Sequence, residues 1–478
     1  MKKKLKTKLL SIIICLIIAV ILAVFFSYKI LDVPMGLTSD ETAMGYNATL
    51  LSHTYHDENG RLFPFFVLSN DGKDWKQPVT QYYLALLFKL FTPSVFLLRF
   101  SSVIITIVSV FLIYKLSRIE YSPKFSIFPL ILFLTTPLIM IQSHMGLDNI
   151  MPVPFTIIWL FYLFCYAKKP QIKFIIISAI SLGITFYTYK GMRAIFPVWY
   201  LLSIIYLIKP QKWFKSIFVF SLFSLPFLLI SPLLNHLYPG SILGGSNPKI
   251  DSLYNFFYPY LSSFDPTFLF IKGDDTLFHS TGIHGMFLFA TLPLFLIGIY
   301  SSISKNKNSR FLLAAFFLAP LLYGLVGSVH RASRLMCLIP IYVLICTNGI
   351  ELLKSKLGKL YPSIIIGFSL LIFLNYTDFL HYYYSTYAKL TQSLVGELKR
   401  YESFKYLQQE SQKLKLTPYV SEDISNPFYE SIYFPDGIIK INQSIVPPLK
   451  SILLTDREVI EGMQNIQAPL VYYKIQIN

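Results

Sequence analysis

Residues 9–41 read LLSIIICLIIAVILAVFFSYKILDVPMGLTSDE. Leu9 to Tyr28 is an apolar run unbroken by charge, and about 20 such residues cross a bilayer as a helix. It follows Met1-Lys2-Lys3-Lys4-Leu5-Lys6-Thr7-Lys8 and is not followed by a small-x-small cleavage site, so it reads as a retained signal anchor. Just beyond it stands the pair Asp40-Glu41. Carboxylates beside a bilayer are costly unless water or a partner supports them, which makes the pair a functional-site candidate.

Composition extends this reading to the whole chain. Of 478 residues, 54% are hydrophobic and only 14% charged, with a mean hydropathy of +0.54; much of the surface must therefore face lipid. A net charge of +17 on a soluble protein would suggest nucleic acid. Here the Lys and Arg sit in short loops between apolar runs and no nucleic-acid motif accompanies them, so nucleic acid is excluded as a partner. Cys15, Cys165, Cys337 and Cys346 all lie in apolar runs, with neither a disulfide framework nor zinc spacing.

Hydropathy predicts about eleven spans, near 9–29, 95–116, 125–142, 150–167, 173–189, 194–208, 214–231, 286–303, 311–327, 335–353 and 360–378. With the N-terminus inside, every inner loop is basic. These loops carry Lys115, Arg118 and Lys124; Lys168, Lys169 and Lys173; Lys209, Lys212 and Lys215; Lys305, Lys307 and Arg310; and Lys354, Lys356 and Lys359. The expected fold class is a polytopic α-helical membrane protein. Residues 1–378 form its membrane domain, with extracytoplasmic loops 30–94 and 232–285. Residues 379–478 form a small mixed α/β domain outside. Its sequence ends Leu470-Val471-Tyr472-Tyr473-Lys474-Ile475-Gln476-Ile477-Asn478, and Asn442-Gln443-Ser444 is a weak match to a glycosylation acceptor.

The unusual polar residues collect on the outer side. The first loop holds Asp40, Glu41, His53, His56, Asp57, Lys73, Asp74 and Lys76. The next turns bring Asp148, Lys190 and Arg193, the second long loop brings Asp274 and His279, and a later turn brings Arg331 and Arg334. Outer turns should be poor in Lys and Arg, so these cations are misplaced unless they bind an anion such as a lipid phosphate. Carboxylate and cation together suit group transfer: one accepts the acceptor's hydroxyl proton, the other stabilises a departing phosphate.

Five motifs in order carry a resemblance. They are Asp40-Glu41-Thr42-Ala43; Trp75-Lys76-Gln77-Pro78-Val79-Thr80-Gln81-Tyr82-Tyr83, leading into a membrane-surface helix; Arg99-Phe100-Ser101-Ser102; Leu147-Asp148-Asn149; and Phe264-Asp265-Pro266-Thr267-Phe268-Leu269-Phe270, followed by Gly273-Asp274 and His279. The chain resembles the GT-C class of membrane glycosyltransferases. Within that class it is similar to the group of protein O-mannosyltransferases and aminoarabinose transferases, glycosyltransferase family 39 and its bacterial relatives. The resemblance implies sugar transfer from a polyprenyl-phosphate donor to an extracytoplasmic acceptor, inverting if it proceeds by single displacement. It implies Asp40 as base, Glu41 beside it, and Asp148 as a second active-site acid. It also implies a basic residue directly before Pro78 as a phosphate ligand; this chain has Gln77 there, with Lys76 one place earlier. Members often carry Arg-His where this chain has Phe278-His279.

Each candidate also has a structural reading. Asp40 and Glu41 suit a helix N-terminus, and so does Asp148 before Pro152. Lys76 suits a snorkelling interfacial lysine. Lys190, Arg193, Arg331 and Arg334 suit lipid headgroups as well as a donor phosphate. Tyr82 suits stacking on a sugar or prenyl chain. His53 and His56 beside Asp57 have ligand-like spacing, yet such clusters are usually solvated loops; no metal site is assigned, no cofactor is implied, and a divalent-metal requirement stays open. The rival function is a transporter or flippase of lipid-linked sugars. It fits less well, because transporters carry their ionisable residues at the bilayer midplane and in repeated halves.

Overall fold

The computed structural model describes residues 2–69, 72, 74–208, 213–242, 252–327, 329–394, 397–442, 445–456, 463–466 and 474–477. Lys73, Lys209, Lys212, Gln443, Ser444, 470–473 and Asn478 of the sequence reading lie outside them. The chain divides into two compact units. One comprises 1–28, 77–80 and 100–383; the other comprises 29–76, 81–99 and 384–478.

The first unit is helical. Helix α1 is Lys2–Ser27, and the long helix Val95–Glu120, α4, runs into this unit from residue 100. Among the described residues, five helical stretches are long and apolar enough to cross a membrane: Val95–Glu120, Asp148–Lys168, Trp213–Leu237, Lys307–Leu325 and Ala332–Thr391. Shorter apolar helices are Ile12–Ser27, Ile172–Thr185, Met192–Leu207 and Phe289–Lys305. The expected continuous span at 125–142 is instead two helices, Phe128–Leu134 and Pro137–Ser143. Pro137 has no N–H and pushes the residue before it out of the helical region, and Thr136 sits at φ −77°, ψ 118°. The long loop 232–285 is also partly helical, with Ser231–Leu237 and Leu253–Ser262.

Close packing here rests on small residues and aromatic pairs. Helices Leu292–Lys305 and Ile339–Leu357 approach backbone to backbone. A Cβ on Gly298 would lie 2.1 Å from the Ile345 carbonyl oxygen, and one on Gly349 would lie 2.5 Å from that of Leu294; small residues allow this approach between apolar helices. Trp159 and Trp199 stack at 4.7 Å. Their indole N–H groups donate to Ser203 Oγ and the Ala315 carbonyl, so no donor is stranded.

The second unit contains α2, Ser39–Thr54, and an antiparallel hairpin of β1, Val67–Ser69, and β2, Asp74–Lys76. It also holds most of α3, Pro78–Leu90, and the first residues of α4. The tail adds a five-stranded mixed sheet. Its strands are β3 (Thr417–Ser421), β4 (Ile439–Ile441), β5 (Ser451–Thr455), β6 (Gln464–Ile466) and β7 (Lys474–Ile477), in the order β4-β3-β5-β7-β6. β3 pairs in parallel with β4 and β5, while β7 pairs antiparallel with β5 and β6. Helices Glu397–Leu414 and Pro427–Tyr433 accompany it.

Phe428, on the second of these helices, is fully buried against α2. A Cβ on Gly45 would meet its ring at 2.7 Å, and Phe88 of α3 stacks on it at 6.4 Å. The absence of a side chain at Gly45 is thus what seats the tail on the helix that carries Asp40. Phe428→Ala should destabilise the protein by about 3–5 kcal/mol, the usual cost of emptying a buried phenylalanine site. Chemical unfolding of the detergent-solubilised protein measures it, and a cost below about 1 kcal/mol would contradict this packing.

Candidate active site

The first cluster lies in the unit of 29–76, 81–99 and 384–478. Thr38 and Glu41 form a capping box at the start of α2: the Glu41 N–H donates to Thr38 Oγ1 at 3.1 Å, and the Thr38 N–H donates to Glu41 Oε2 at 3.0 Å. The same carboxylate takes Arg99 Nε at 3.0 Å, with Glu41 0% and Arg99 1% exposed. Arg99 Nη1 donates to the carbonyls of Ile30 at 2.8 Å and Pro34 at 2.9 Å, and its Nη2 to that of Gly36. One guanidinium therefore fastens the segment after α1 to the start of α2. Its fixed fork of donors makes Arg suited to this, where Lys would not be.

Asp40 points elsewhere. Its side chain is 54% exposed, and its Oδ1 lies 2.5 Å from Lys76 Nζ. Lys76 is only 4% exposed and also meets Asp74 Oδ2 at 2.8 Å. Alternation along β2 puts Asp74 and Lys76 on one face; Trp75, on the other, lies under the Arg61 guanidinium at 5.3 Å. Burial pushes the Lys76 pKa down, but the charges and hydrogen bonds of Asp40 and Asp74 outweigh it and hold the pKa above 10.5. Tyr82 donates its hydroxyl to the Pro64 carbonyl at 2.7 Å and packs on Leu51, Val67 and Ala85. His56 Nδ1 lies 2.7 Å from the Thr54 carbonyl, and Asp57 Oδ1 accepts the N–H groups of Asn59 and Arg61, both at 2.9 Å. These contacts are those of a structured turn, and among the described residues no group of three or more His, Cys, Asp or Glu could hold a metal ion.

The second cluster lies in the other unit. Arg193, in the first turn of Met192–Leu207, donates to the carbonyls of Ser241 at 2.5 Å and Ile242 at 2.8 Å, and to Gln77 Oε1 at 2.6 Å. Gln77, which replaces the basic residue expected before Pro78, is buried as the acceptor of that guanidinium. Asp148 opens a 3-10 turn ahead of Pro152–Lys168, where a negative charge suits the helix start. It acts electrostatically on both Arg193 and Tyr189. Tyr189 meets Ser333 Oγ at 3.1 Å and interacts electrostatically with Arg334. Arg334 Nη1 is buried and makes no hydrogen bond among the described residues. Lys190 is exposed.

Asp274 and His279 hold loop structure together. Asp274 Oδ1 accepts from Thr276 N–H and Oγ1, its Oδ2 accepts the Ala332 N–H at 2.6 Å, and Arg331 Nη1 stands 3.7 Å away. His279 Nδ1 lies 2.9 Å from Gln142 Nε2, and Gln142 Oε1 accepts from Asn149 at 2.9 Å. Asp148's neighbour is thereby tied to the His279 loop. The sequence reading named Arg99 and Asp74 without giving either a role, named Gln77 only as a departure from the family pattern, and did not name Gln142. An Arg inside the apolar run Val95-Phe96-Leu97-Leu98-Arg99 was the available signal for a buried partner. Thr38-Ser39-Asp40-Glu41 was the available signal for a capping box.

Comparison with known proteins adds two findings. Residues 76–236 match the family model described as dolichyl-phosphate-mannose-protein mannosyltransferase. The chain is also similar to the crystal structure of ArnT from Cupriavidus metallidurans in the apo state, with TM-score 0.60 and 9% identity over 96% of this chain and 97% of that one. The structure of the same ArnT bound to undecaprenyl phosphate gives TM-score 0.58 and 8% identity over the same shares. No curated protein matches the sequence. The likeness to ArnT runs the length of both chains and shows a shared fold. The chain is a polytopic helical membrane protein with a fold like that of ArnT.

Two outcomes test the first cluster. Arg99→Met leaves the Glu41 carboxylate buried without its cation and should cost about 3–5 kcal/mol. Adding Glu41→Gln, which keeps the capping box, should recover part of that; unfolding of single and double variants decides, and a double variant less stable than the single would count against the pairing. The folded pKa of Lys76 exceeds 10.5, so its contribution is full below that value and fades as pH rises through the folded pKa. The stability gap between wild type and Lys76→Met should hence be flat from about pH 6 to 9 and close only in stronger alkali.

Proposed function

We propose that the chain is a glycosyltransferase that moves a sugar from a polyprenyl-phosphate donor to an acceptor on the extracytoplasmic side. The observation that carries this reading is the fold shared with ArnT along both chains, one structure of which binds undecaprenyl phosphate. The mannosyltransferase family match over 76–236 supports the same class of chemistry. The charge distribution of the inner loops supports a cytoplasmic N-terminus and an extracytoplasmic C-terminus.

Asp40 is the proposed general base. It is the exposed member of the carboxylate pair, while Glu41 is occupied by Arg99 and Thr38 and serves as a positioning residue. Lys76 lies against Asp40 and Asp74, so its first role is to orient Asp40. The acceptor hydroxyl oxygen attacks the anomeric carbon, its proton passes to Asp40, and the bond from that carbon to the phosphate oxygen breaks. Polyprenyl phosphate leaves, and a single displacement inverts the anomeric centre. Arg193 and Arg334 are the proposed phosphate ligands, with Lys190 and Arg331 as exposed cations nearby in sequence. The buried Arg334 Nη1 supports this, because a guanidinium nitrogen left without an acceptor is costly and an anion would satisfy it. Asp148 acts on Arg193 and Tyr189, and its proposed role is to hold that cationic group in place.

Surface glycans of cells lacking the gene, complemented with wild type or variants at equal expression, test the proposal. Wild type should restore a missing glycan and Asp40→Asn should not, its transfer rate falling about 10²–10⁴-fold as expected for loss of a general base. Arg334→Gln should raise the KM for a polyprenyl-phosphate sugar about tenfold or more, the worth of one charge-assisted hydrogen bond. Full restoration by Asp40→Asn would remove Asp40 from the mechanism.

A further inference from the structure

The proposed reaction leaves unused a cavity of about 340 Å³ at the ends of two apolar helices, Leu292–Lys305 and Tyr361–Tyr382. Its walls include Phe270, Ile271, Ile283, Leu288 and Phe289, together with His284 and Asp378. Ile271, Ile283 and Phe289 are 48%, 54% and 57% exposed. Span eight begins at this level and span eleven ends there, which by the charge distribution is the outer surface of the bilayer. Exposed apolar side chains at that depth meet lipid rather than water.

The polar part of the cavity is built, not incidental. His284 is 8% exposed; its Nε2 lies 3.2 Å from Asp378 Oδ2 and its Nδ1 lies 2.9 Å from Thr281 Oγ1. A carboxylate only accepts, so Nε2 carries a proton. Burial lowers the His284 pKa, which favours the neutral ring, so the imidazole orients Asp378 without cancelling its charge. Asn375, one turn earlier on the same helix face, accepts the Ala290 N–H at 3.2 Å and fixes the helix against the opposite wall. The Asp378 side chain is 73% exposed. An oriented negative charge thus stands at the mouth of an apolar slot at headgroup depth, and an ionisable residue kept at a membrane edge calls for a partner.

We infer that this slot binds an outer-leaflet phospholipid with a cationic amine headgroup, its amine on Asp378 and the upper part of an acyl chain along Phe270 and Phe289. An anionic headgroup would be repelled by the carboxylate, and a free amine would leave the apolar walls uncovered. The inference does not depend on the sugar-transfer reading, because its test measures lipid binding alone.

The full chain is reconstituted in phosphatidylcholine-free nanodiscs carrying a photoreactive acyl chain on either phosphatidylethanolamine or phosphatidylglycerol, and crosslinks to residues 283–289 are counted by mass spectrometry. Phosphatidylethanolamine should label this segment about tenfold more than phosphatidylglycerol. Asp378→Asn should bring the two lipids to parity, and Asp378→Glu should keep the preference. Ile283→Trp fills the slot while leaving the carboxylate, and should suppress labelling by both lipids. Equal labelling by the two lipids in wild type overturns the proposal, and so does a preference that survives Asp378→Asn.

Discussion

The Arg99–Glu41 pair is the constraint on which the exposed carboxylate depends. A buried ion pair adds little net stability over a well-packed apolar pair, yet it tolerates few alternative geometries, because either charge left alone is costly. Here the guanidinium also consumes three loop carbonyls, so the segment 30–36 and the start of α2 share one set of hydrogen bonds. Tyr387 of the tail is fully buried and acts electrostatically with both partners. The Met35 N–H donates to Thr391 Oγ1 at 3.1 Å, adding a second tail contact to the same segment. The first loop and the tail thus make one compact unit, although the sequence separates them by most of the chain.

That arrangement separates two adjacent carboxylates by function. One residue along a helix turns a side chain by about 100°, so with Glu41 committed inward, Asp40 emerges beside the hairpin. There Lys76 and Asp74 meet it because alternation along a strand puts both on one face. Tail packing reaches the same helix from its other side through Phe428 and Gly45. The exposed acid is therefore held by a cap, a buried ion pair, a strand and an aromatic wedge, each a different kind of interaction.

In the other unit the cations divide by how their hydrogen bonds are used. Arg193 spends its donors on two backbone carbonyls and Gln77, which explains why an amide can stand where a basic residue was expected before Pro78. Arg331 leans toward a buried Asp274 whose main contacts are backbone amides. Arg193 Nε and Arg334 Nη1 are guanidinium nitrogens buried without a hydrogen-bond acceptor among the described residues, and an anion would satisfy them.

The sequence by itself determined the class of the molecule. Apolar runs of bilayer length and basic inner loops are local, additive signals, and they specify a polytopic helical protein without any knowledge of contacts. The ordered motifs from Asp40-Glu41 to Gly273-Asp274 carried a resemblance to membrane glycosyltransferases, and the structure shares its fold with ArnT. Only tertiary structure decided which polar residues hold the scaffold. Glu41 and Asp40 look alike in the sequence, and their difference arises from Arg99, 58 residues away. Tyr82 was a candidate for stacking on a sugar or prenyl chain, and only the structure shows its hydroxyl donating to the Pro64 carbonyl and its ring packed against a small apolar cluster. The Asp378–His284 pair joins residues 94 apart that no local pattern marks. Burial and partnership depend on which segments meet, and that is set by packing across the whole chain rather than by any window of sequence.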